Sequence, residues 1–375
     1  MNPLSTGAAA AIAACALLAC DIGGSGPGGA VEPNPAINAT TSYARLLGTA
    51  RIHPTRAPLA RAYFSLRGDA VEDLLSVDLT ATEAATAVRF FKNDGAGVFT
   101  ETPGVFGEST PSLVHARKAV VNDFNADGFD DVVIAGHGYD QPPYPGEIPI
   151  IIRNNAGQAL GWSYLPLPVD FYHSVTAGDI DNDGYPDLFF TPGVFLVNDR
   201  KGGFVADRSL FPAELAENYF TSELYDLNGD GYLDLIITGH EQDGAASRIL
   251  WGNETGTYRQ DRSSVLPAVA GRGVAIGISL ADVTGDGAID ILLNRTGDPT
   301  GLGFYVGYYL QLIDGKTLRD VTAARVAGHF DDAGEWFYWV RFFDIDHDGD
   351  LDIVLDDEEA DMAWINDGTG RFSRE

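Results

Sequence analysis

Short apolar runs along this chain alternate with acidic loops and with polar turns rich in glycine. In the clearest example, apolar Ala119 to Val121 passes into an acidic stretch and resumes as Val132, Val133, Ile134 and Ala135. Runs this short, bounded by Asp, Asn and Gly, predict β-strands joined by tight turns. The pattern then recurs. A nine-residue acidic loop occurs five times, beginning at Asp123, Asp179, Asp226, Asp282 and Asp344, at intervals of 56, 47, 56 and 62 residues. An eroded copy, Ser65 to Asp73, lies 58 residues before the first and keeps only Asp69 and Asp73 of the acidic positions. Self-similarity at such a period marks a repeat architecture with one supersecondary unit per repeat.

A second feature follows the acidic loop within the unit: an apolar strand, a polar turn with glycine, then an aromatic. It reads Phe91, Asn93, Asp94, Gly97, Phe99 in the first unit and Val197, Asn198, Asp199, Gly203, Phe204 in the third. The fourth and sixth units carry Trp251, Asn253, Gly256, Tyr258 and Ile365, Asn366, Asp367, Gly370, Phe372. Clusters of this kind between β-rich runs are hairpin turns. Each unit thus supplies four antiparallel strands, which is one propeller blade, and radial repetition leaves only short edges uncovered. Six units occupy residues 58–375, so the predicted fold is an all-β propeller of six four-stranded antiparallel blades. Too few residues precede the first unit for a seventh blade, and Thr41 to Ala50 are the candidate for a ring-closing strand.

Over residues 58–375 the units resemble FG-GAP/VCBS repeats, the blades of the integrin α-subunit propeller and of many exported bacterial proteins. The resemblance implies a calcium-binding β-propeller, while activity differs widely among proteins that share such a fold.

The residues argue for calcium on their own. Positions 1, 3 and 5 of the loop offer side-chain oxygens: Asp123, Asn125 and Asp127; Asp179, Asp181 and Asp183; Asp226, Asn228 and Asp230; Asp282 and Asp286; Asp344, Asp346 and Asp348. Position 7 offers a backbone carbonyl at Phe129, Tyr185, Tyr232, Ala288 and Asp350, and position 9 a closing carboxylate at Asp131, Asp187, Asp234, Asp290 and Asp352. Hard oxygen donors around a glycine turn suit Ca2+. Left alone, the converging carboxylates repel one another. The loop is not an EF-hand, because position 12 is Ile134, Phe190, Ile237, Leu293 or Leu355 where a bidentate Glu is required. Five calcium sites are expected, the fourth being the weakest because Thr284 replaces Asp or Asn at position 3. The alternative is that these are acidic turns and nothing more.

Composition narrows the partners. The chain has 54 acidic against 24 basic side chains, a formal charge of -30 over 375 residues. That surface excludes nucleic acid and anionic bilayers, which are bound by Lys and Arg that displace counterions. Five calcium ions would bring the charge to about -20. The 44 Gly, 19 Pro, 20 Phe and 15 Tyr fit strands and tight turns.

The N-terminus predicts export. Ala8 to Ala19 form an apolar run too short to span a bilayer, ending Leu17-Leu18-Ala19-Cys20. This end resembles a bacterial lipobox, with cleavage before Cys20 and lipid on the new terminal cysteine; the segment Met1 to Gly7 departs from the pattern in having no Lys or Arg. The alternative is an ordinary signal peptide with a chance cysteine. Expected domains are therefore a signal peptide at 1–19, a Gly- and Pro-rich tether at 20–40, and the propeller at 41–375. The protein is expected to be a monomer anchored at the periplasmic or cell-surface side. With Cys15 inside the removed segment, the mature monomer has no disulfide.

If the acidic loops join strands 1 and 2 of each blade, the start of strand 1 and the end of strand 2 share the opposite end. His115, Arg117 and Lys118, Tyr172 and His173, Tyr219 and Phe220, and Trp336, Tyr338 and Trp339 fall there. So do His137 and His240, each fourteen residues into its repeat, after Gly and three residues before Asp140 or Asp243. A basic and aromatic ring of this kind suits an acidic polysaccharide or a peptide. Two functions follow. One is a binding module for protein or carbohydrate; the other is a polysaccharide lyase or hydrolase with one of these histidines as base and Arg117 or Lys118 neutralising a uronate. A close cluster of these side chains favours catalysis, and scattered packing between blades favours the module. The structural alternative is that the aromatics pack between blades and the histidines make internal hydrogen bonds. Catalytic residues are otherwise unassigned: the sequence has no phosphate-binding Gly-Lys-Ser loop, no His-Glu-x-x-His helix and no Gly-x-Ser-x-Gly elbow. Arg67-Gly68-Asp69 lies inside the eroded loop and is read as a chance match to an integrin-recognition tripeptide. The triplets at Asn38 and Asn253 matter only for a glycosylated protein.

Overall fold

The computed structural model describes residues 56–374, except 70, 81–83, 96–97, 216–218, 298–302, 312–314, 332–339, 345, 347 and 358–359. Cys20, the signal and tether segments, Thr41 to Ala50, and Trp336, Tyr338 and Trp339 lie outside the described residues. The rest forms six antiparallel blades of four strands arranged as a propeller, the fifth extended by Phe330–Asp331, together with a two-stranded ribbon of Thr86–Ala87 and Ser112–Leu113. Each blade uses one contiguous piece of chain, from Arg56–Glu101 for blade 1 to Val340–Arg374 for blade 6.

Strand 1 of each blade lies innermost, and successive inner strands pack side by side: Arg56–Phe64, Ala116–Asn122, Val175–Gly178, Tyr219–Tyr225, Val274–Ala281 and Val340–Phe343. Strand 2 is covered on both faces by neighbouring blades, which explains its unbroken apolar run where a half-exposed strand alternates. Asp131–Gly136, Asp234–Gly239 and Asp290–Thr296 are buried at every residue. The cores lie between blades. Phe64, Leu75, Phe90, Val121, Val132 and Ile152 fill the space between blades 1 and 2, and Phe124, Val133, Tyr172, Val175 and Phe190 that between blades 2 and 3.

Register settles where the ends fall. In blade 2, Asn122 pairs with Asp131 beside the acidic loop, and Ala116 pairs with Gly136 at the far end. Six residues of strand put the two ends about 20 Å apart. The blades are also joined near the axis: Lys118 of blade 2 reaches past blade 3 to Glu223 of blade 4 at 2.5 Å and to the Ser222 carbonyl at 2.7 Å. Thr176 of blade 3 donates to the same Glu223 carboxylate at 3.3 Å.

Candidate functional site

Every acidic loop is built on one backbone template. The first Asp accepts from the backbone N–H of positions 5 and 6: Asp127 and Gly128 bond Asp123 at 3.1 and 2.8 Å, and Asp183 and Gly184 bond Asp179 at 2.9 and 2.7 Å. Asp230 and Gly231 bond Asp226, and Asp286 and Gly287 bond Asp282, in the same way. In the last loop Gly349 bonds Asp344 at 3.2 Å. Position 5 then accepts from the N–H of position 7 in all five loops. The turn at position 6 is left-handed, with Gly128 at φ 88° and Gly184 at φ 89°, a conformation that costs glycine nothing. Oxygens of Asp179, Asp181 and Asp187 lie within 4.8 Å of one another, as do those of Asp344, Asp346 and Asp348. The fourth loop keeps the template although Thr284 stands at position 3, where its hydroxyl lies 3.4 Å from Asp282.

The closing Asp has a second task. Asp187 accepts from the N–H of Ile180 at 3.1 Å and of Asn198 at 2.7 Å, so it ties the loop to the hairpin turn between strands 3 and 4. Asp234 does the same with Leu227 and Gly252, and Asp73 of the eroded unit with Leu66 and Asn93. Burial pushes these carboxyls up, Asp131 to about 6 and Asp187, Asp234 and Asp290 to about 7, with the neighbouring loop aspartates adding to the rise. The turn asparagine closes the arrangement between blades. Asn154 of blade 2 donates to the Leu66 carbonyl of blade 1 at 2.9 Å, Asn198 of blade 3 to Phe124 of blade 2 at 2.8 Å, and Asn366 of blade 6 to Val283 of blade 5 at 3.2 Å. In each case the acceptor is position 2 of the preceding blade's acidic loop. The sequence exposes Asn198 and Asn366 as turn formers, but the bonds between blades are not legible in it.

At the opposite end, part of the predicted ring assembles. The His137 ring stacks on Phe171 at 4.1 Å and lies 4.2 Å from His115 and 4.7 Å from His173. His173 in turn lies 4.5 Å from Phe220, over which the Arg117 guanidinium sits at 4.6 Å. Arg117 Nη1 is 3.3 Å from His115 Nε2. His115 and His137 are only 4% and 0% exposed, and His173 is partly buried. Burial, reinforced by the Arg117 charge, lowers His115 to about 3 and His137 to about 2, and takes His173 well below the ordinary imidazole range. All three rings are therefore neutral near pH 7. The backbone around them is fixed: Glu147 accepts from the N–H of Val114 and His115 at 3.0 and 3.2 Å. A Cβ on Gly136 would stand 2.2 Å from Glu147 Oε1, and one on Gly138 2.4 Å from the Gly146 carbonyl.

Other predicted members point elsewhere. Tyr172 is fully buried between blades 2 and 3, 5.6 Å from Phe190, with its hydroxyl on the Pro168 carbonyl. Lys118 belongs to the Glu223 ion pair described above. Tyr219 packs in the core between blades 3 and 4. His240 stands at the margin, 6.1 Å from Phe220 and 3.8 Å from Asp243, and its pKa is lowered by burial. Sequence reasoning missed Phe171 and Glu147. It also missed Tyr139 and Tyr144, exposed at 37% and 54% in the loop after His137, with the Tyr144 ring 5.8 Å from Phe171. Their signal was present: two tyrosines in a Pro- and Gly-rich loop that topology delivers to the histidine end.

Comparison with known proteins bears on the fold. No curated protein matches the sequence. Among solved structures, the biofilm matrix protein Bap1 of V. cholerae aligns at 16% identity and TM-score 0.44, over 71% of this chain and 40% of that one. The Dos1 propeller aligns at 11% identity and TM-score 0.46, over 85% and 72%. A rhamnogalacturonan lyase of Bacillus licheniformis aligns at 12% and 0.43, over 85% and 57%. The chain thus spans well under two thirds of the first and third of these proteins, and likeness this distant says nothing of activity. The FG-GAP-like repeat model matches residues 123–190 and 226–293, each match beginning at the first aspartate of an acidic loop. The chain thus carries FG-GAP-like repeats at two places, set in a β-propeller of six antiparallel blades.

Proposed function

We propose that this protein is an exported, lipid-anchored binding module whose propeller is stabilised by about five calcium ions and takes a carbohydrate or protein ligand at the histidine end. The observation that carries the calcium reading is the common loop template. Backbone N–H groups aim the same carboxylates inward in five loops, and all the donors on offer are oxygens, the set that suits Ca2+. The residues that would hold the ion are those at positions 1, 3, 5, 7 and 9. Bound calcium would supply the positive charge that the clustered aspartates lack. The anchor would be Cys20, and Cys20→Ser should release the protein from membranes.

The ligand reading rests on Tyr139 and Tyr144, which are exposed in the loop after His137, the Tyr144 ring 5.8 Å from Phe171 of the cluster to which Arg117 also belongs. Sugar rings stack on such faces, and a carboxylate pairs with the guanidinium. One observation favours the catalytic reading: His115, His137 and His173 do cluster. Their burial weighs against it, since a general base has to come within hydrogen-bond reach of its substrate. A screen of neutral and uronate-containing polysaccharides, read for both binding and chain cleavage, tests the choice. Binding without cleavage that is lost in Tyr144→Ala and Arg117→Ala, with calcium content unchanged, is the expected result. Cleavage abolished by His173→Ala would establish the enzyme instead.

A further inference from the structure

We propose that His115, His137 and Asp140 form a site for one transition-metal ion of the zinc class, with His173 as the nearest further donor, at the end of the propeller opposite the acidic loops. One donor atom from each of the three lies within 4.8 Å of the other two. Imidazole nitrogen with a single carboxylate is a donor set for zinc, copper or nickel, and is unlike the all-oxygen sets of the loops.

The hydrogen bonding of His137 gives independent support. Its Nδ1 lies 3.0 Å from the Gly138 carbonyl, and a carbonyl can only accept. Nδ1 therefore carries the proton, and the lone pair falls on Nε2. That Nε2 is buried and has no partner among the described residues, on a side chain that is 0% exposed. A buried acceptor without a donor is costly to keep. An imidazole that gives one N–H to a backbone carbonyl and keeps its other nitrogen buried without a partner, within a group of donors, has the posture of a metal ligand. The Nδ1 atoms of His115 and His173 are also enclosed and unpartnered among the described residues, His115 Nδ1 being the protonated nitrogen while its Nε2 accepts from Arg117.

Arg117 opposes the ion. A guanidinium can only donate, so its 3.3 Å contact occupies the lone pair of His115 Nε2. That contact is long for a hydrogen bond and must be given up when metal binds. Donors of a tetrahedral ion at 2.0–2.1 Å stand about 3.4 Å apart, so the group must also contract. The solvent-exposed Asp140 is the member best placed to close. Gly136, Gly138 and Glu147 hold the histidine backbone while it does so.

Cobalt and zinc added to the whole protein in saturating calcium provide the test. One cobalt per chain with the visible absorption of a tetrahedral nitrogen and oxygen site is expected, displaced by zinc. Asp140→Asn and His137→Gln should each weaken zinc at least about tenfold, with calcium content and circular dichroism unchanged. Arg117→Gln should tighten it, because a repelling charge is removed. Absence of the cobalt spectrum in the parent, or zinc affinity unaltered in Asp140→Asn, would overturn the site. So would weaker zinc binding in Arg117→Gln, which would mark an anion pocket or a bridging water. Asp140 is on the surface, so its variant remains informative even if His137→Gln fails to fold.

Discussion

Replacing Asn198 by alanine tests whether the turn asparagines fasten one blade to the next. Asn198 is 4% exposed; its amide donates to the Phe124 carbonyl of blade 2 at 2.8 Å and to the Pro186 carbonyl of its own blade at 3.1 Å. Its Oδ1 accepts from the Arg200 N–H at 2.9 Å. Alanine keeps the backbone bond to Asp187 and deletes these three. The Phe124 carbonyl, beneath a fully buried ring, loses its inter-blade donor, at about 1–3 kcal/mol for a buried group left unsatisfied. The other two lie nearer solvent and add about 0.5–1 kcal/mol each. A total of about 2–5 kcal/mol is expected from urea denaturation in saturating calcium, read by tryptophan fluorescence and circular dichroism together. Asn253→Ala is the control, because the Asn253 amide reaches only the Thr257 carbonyl within its own turn. A loss in Asn198→Ala no greater than in the control would refute the reasoning, since burial and the inter-blade bond are what separate the two.

The Lys118–Glu223 pair, with side chains 13% and 12% exposed, should behave as a nearly buried ion pair. Lys118→Ala should cost about 3–5 kcal/mol by stranding Glu223, while Lys118→Met with Glu223→Leu should be close to neutral; equal losses in thermal denaturation would contradict this. The pH dependence of stability should change with calcium. Lowered pKa values at His115, His137 and His173 mean that the unfolded chain takes up protons below about pH 6.5 that the folded protein refuses, so these groups destabilise the fold as pH falls. Raised values at Asp131, Asp187, Asp234 and Asp290 act oppositely between about pH 4 and 7 when calcium is absent, because the folded protein then holds more protons than the unfolded chain. Bound calcium would keep those carboxyls ionised. The midpoint temperature should therefore fall more steeply from pH 7 to 5 in calcium than in chelator, and parallel profiles would show that one of the two sets is misjudged.

Much of this fold was legible because the acidic-loop template demands fixed spacing. Asp at 1, 5 and 9 with Gly at 6 cannot drift without breaking the backbone template, so the repeat remains visible even where Ser65 and Arg67 stand at positions 1 and 3. Strand direction at the other end was harder. Tyr172 and His173 are adjacent, just before the strand Val175–Gly178, yet one ring enters the core between blades and the other the histidine cluster. Arg117 and Lys118 divide in the same way. Composition gives no sign of which neighbour goes where, because an aromatic or a lysine stem satisfies either side. The Asn198 to Phe124 bond was hidden for another reason: its partners are 74 residues apart, brought together only by the ring. Blade count needed no such partner, since each blade closes on its own chain.

Calcium stoichiometry is the most direct measurement of the central claim. The purified protein, stripped with chelator and dialysed, should take up about five Ca2+ per chain by calorimetry and elemental analysis. Asp179→Asn with Asp183→Asn should remove one of them, and saturation should raise the midpoint temperature well above that of the chelated protein. An identical melting curve with and without calcium, at a measured content below one ion per chain, would mean that the acidic loops are turns and that the propeller stands without metal.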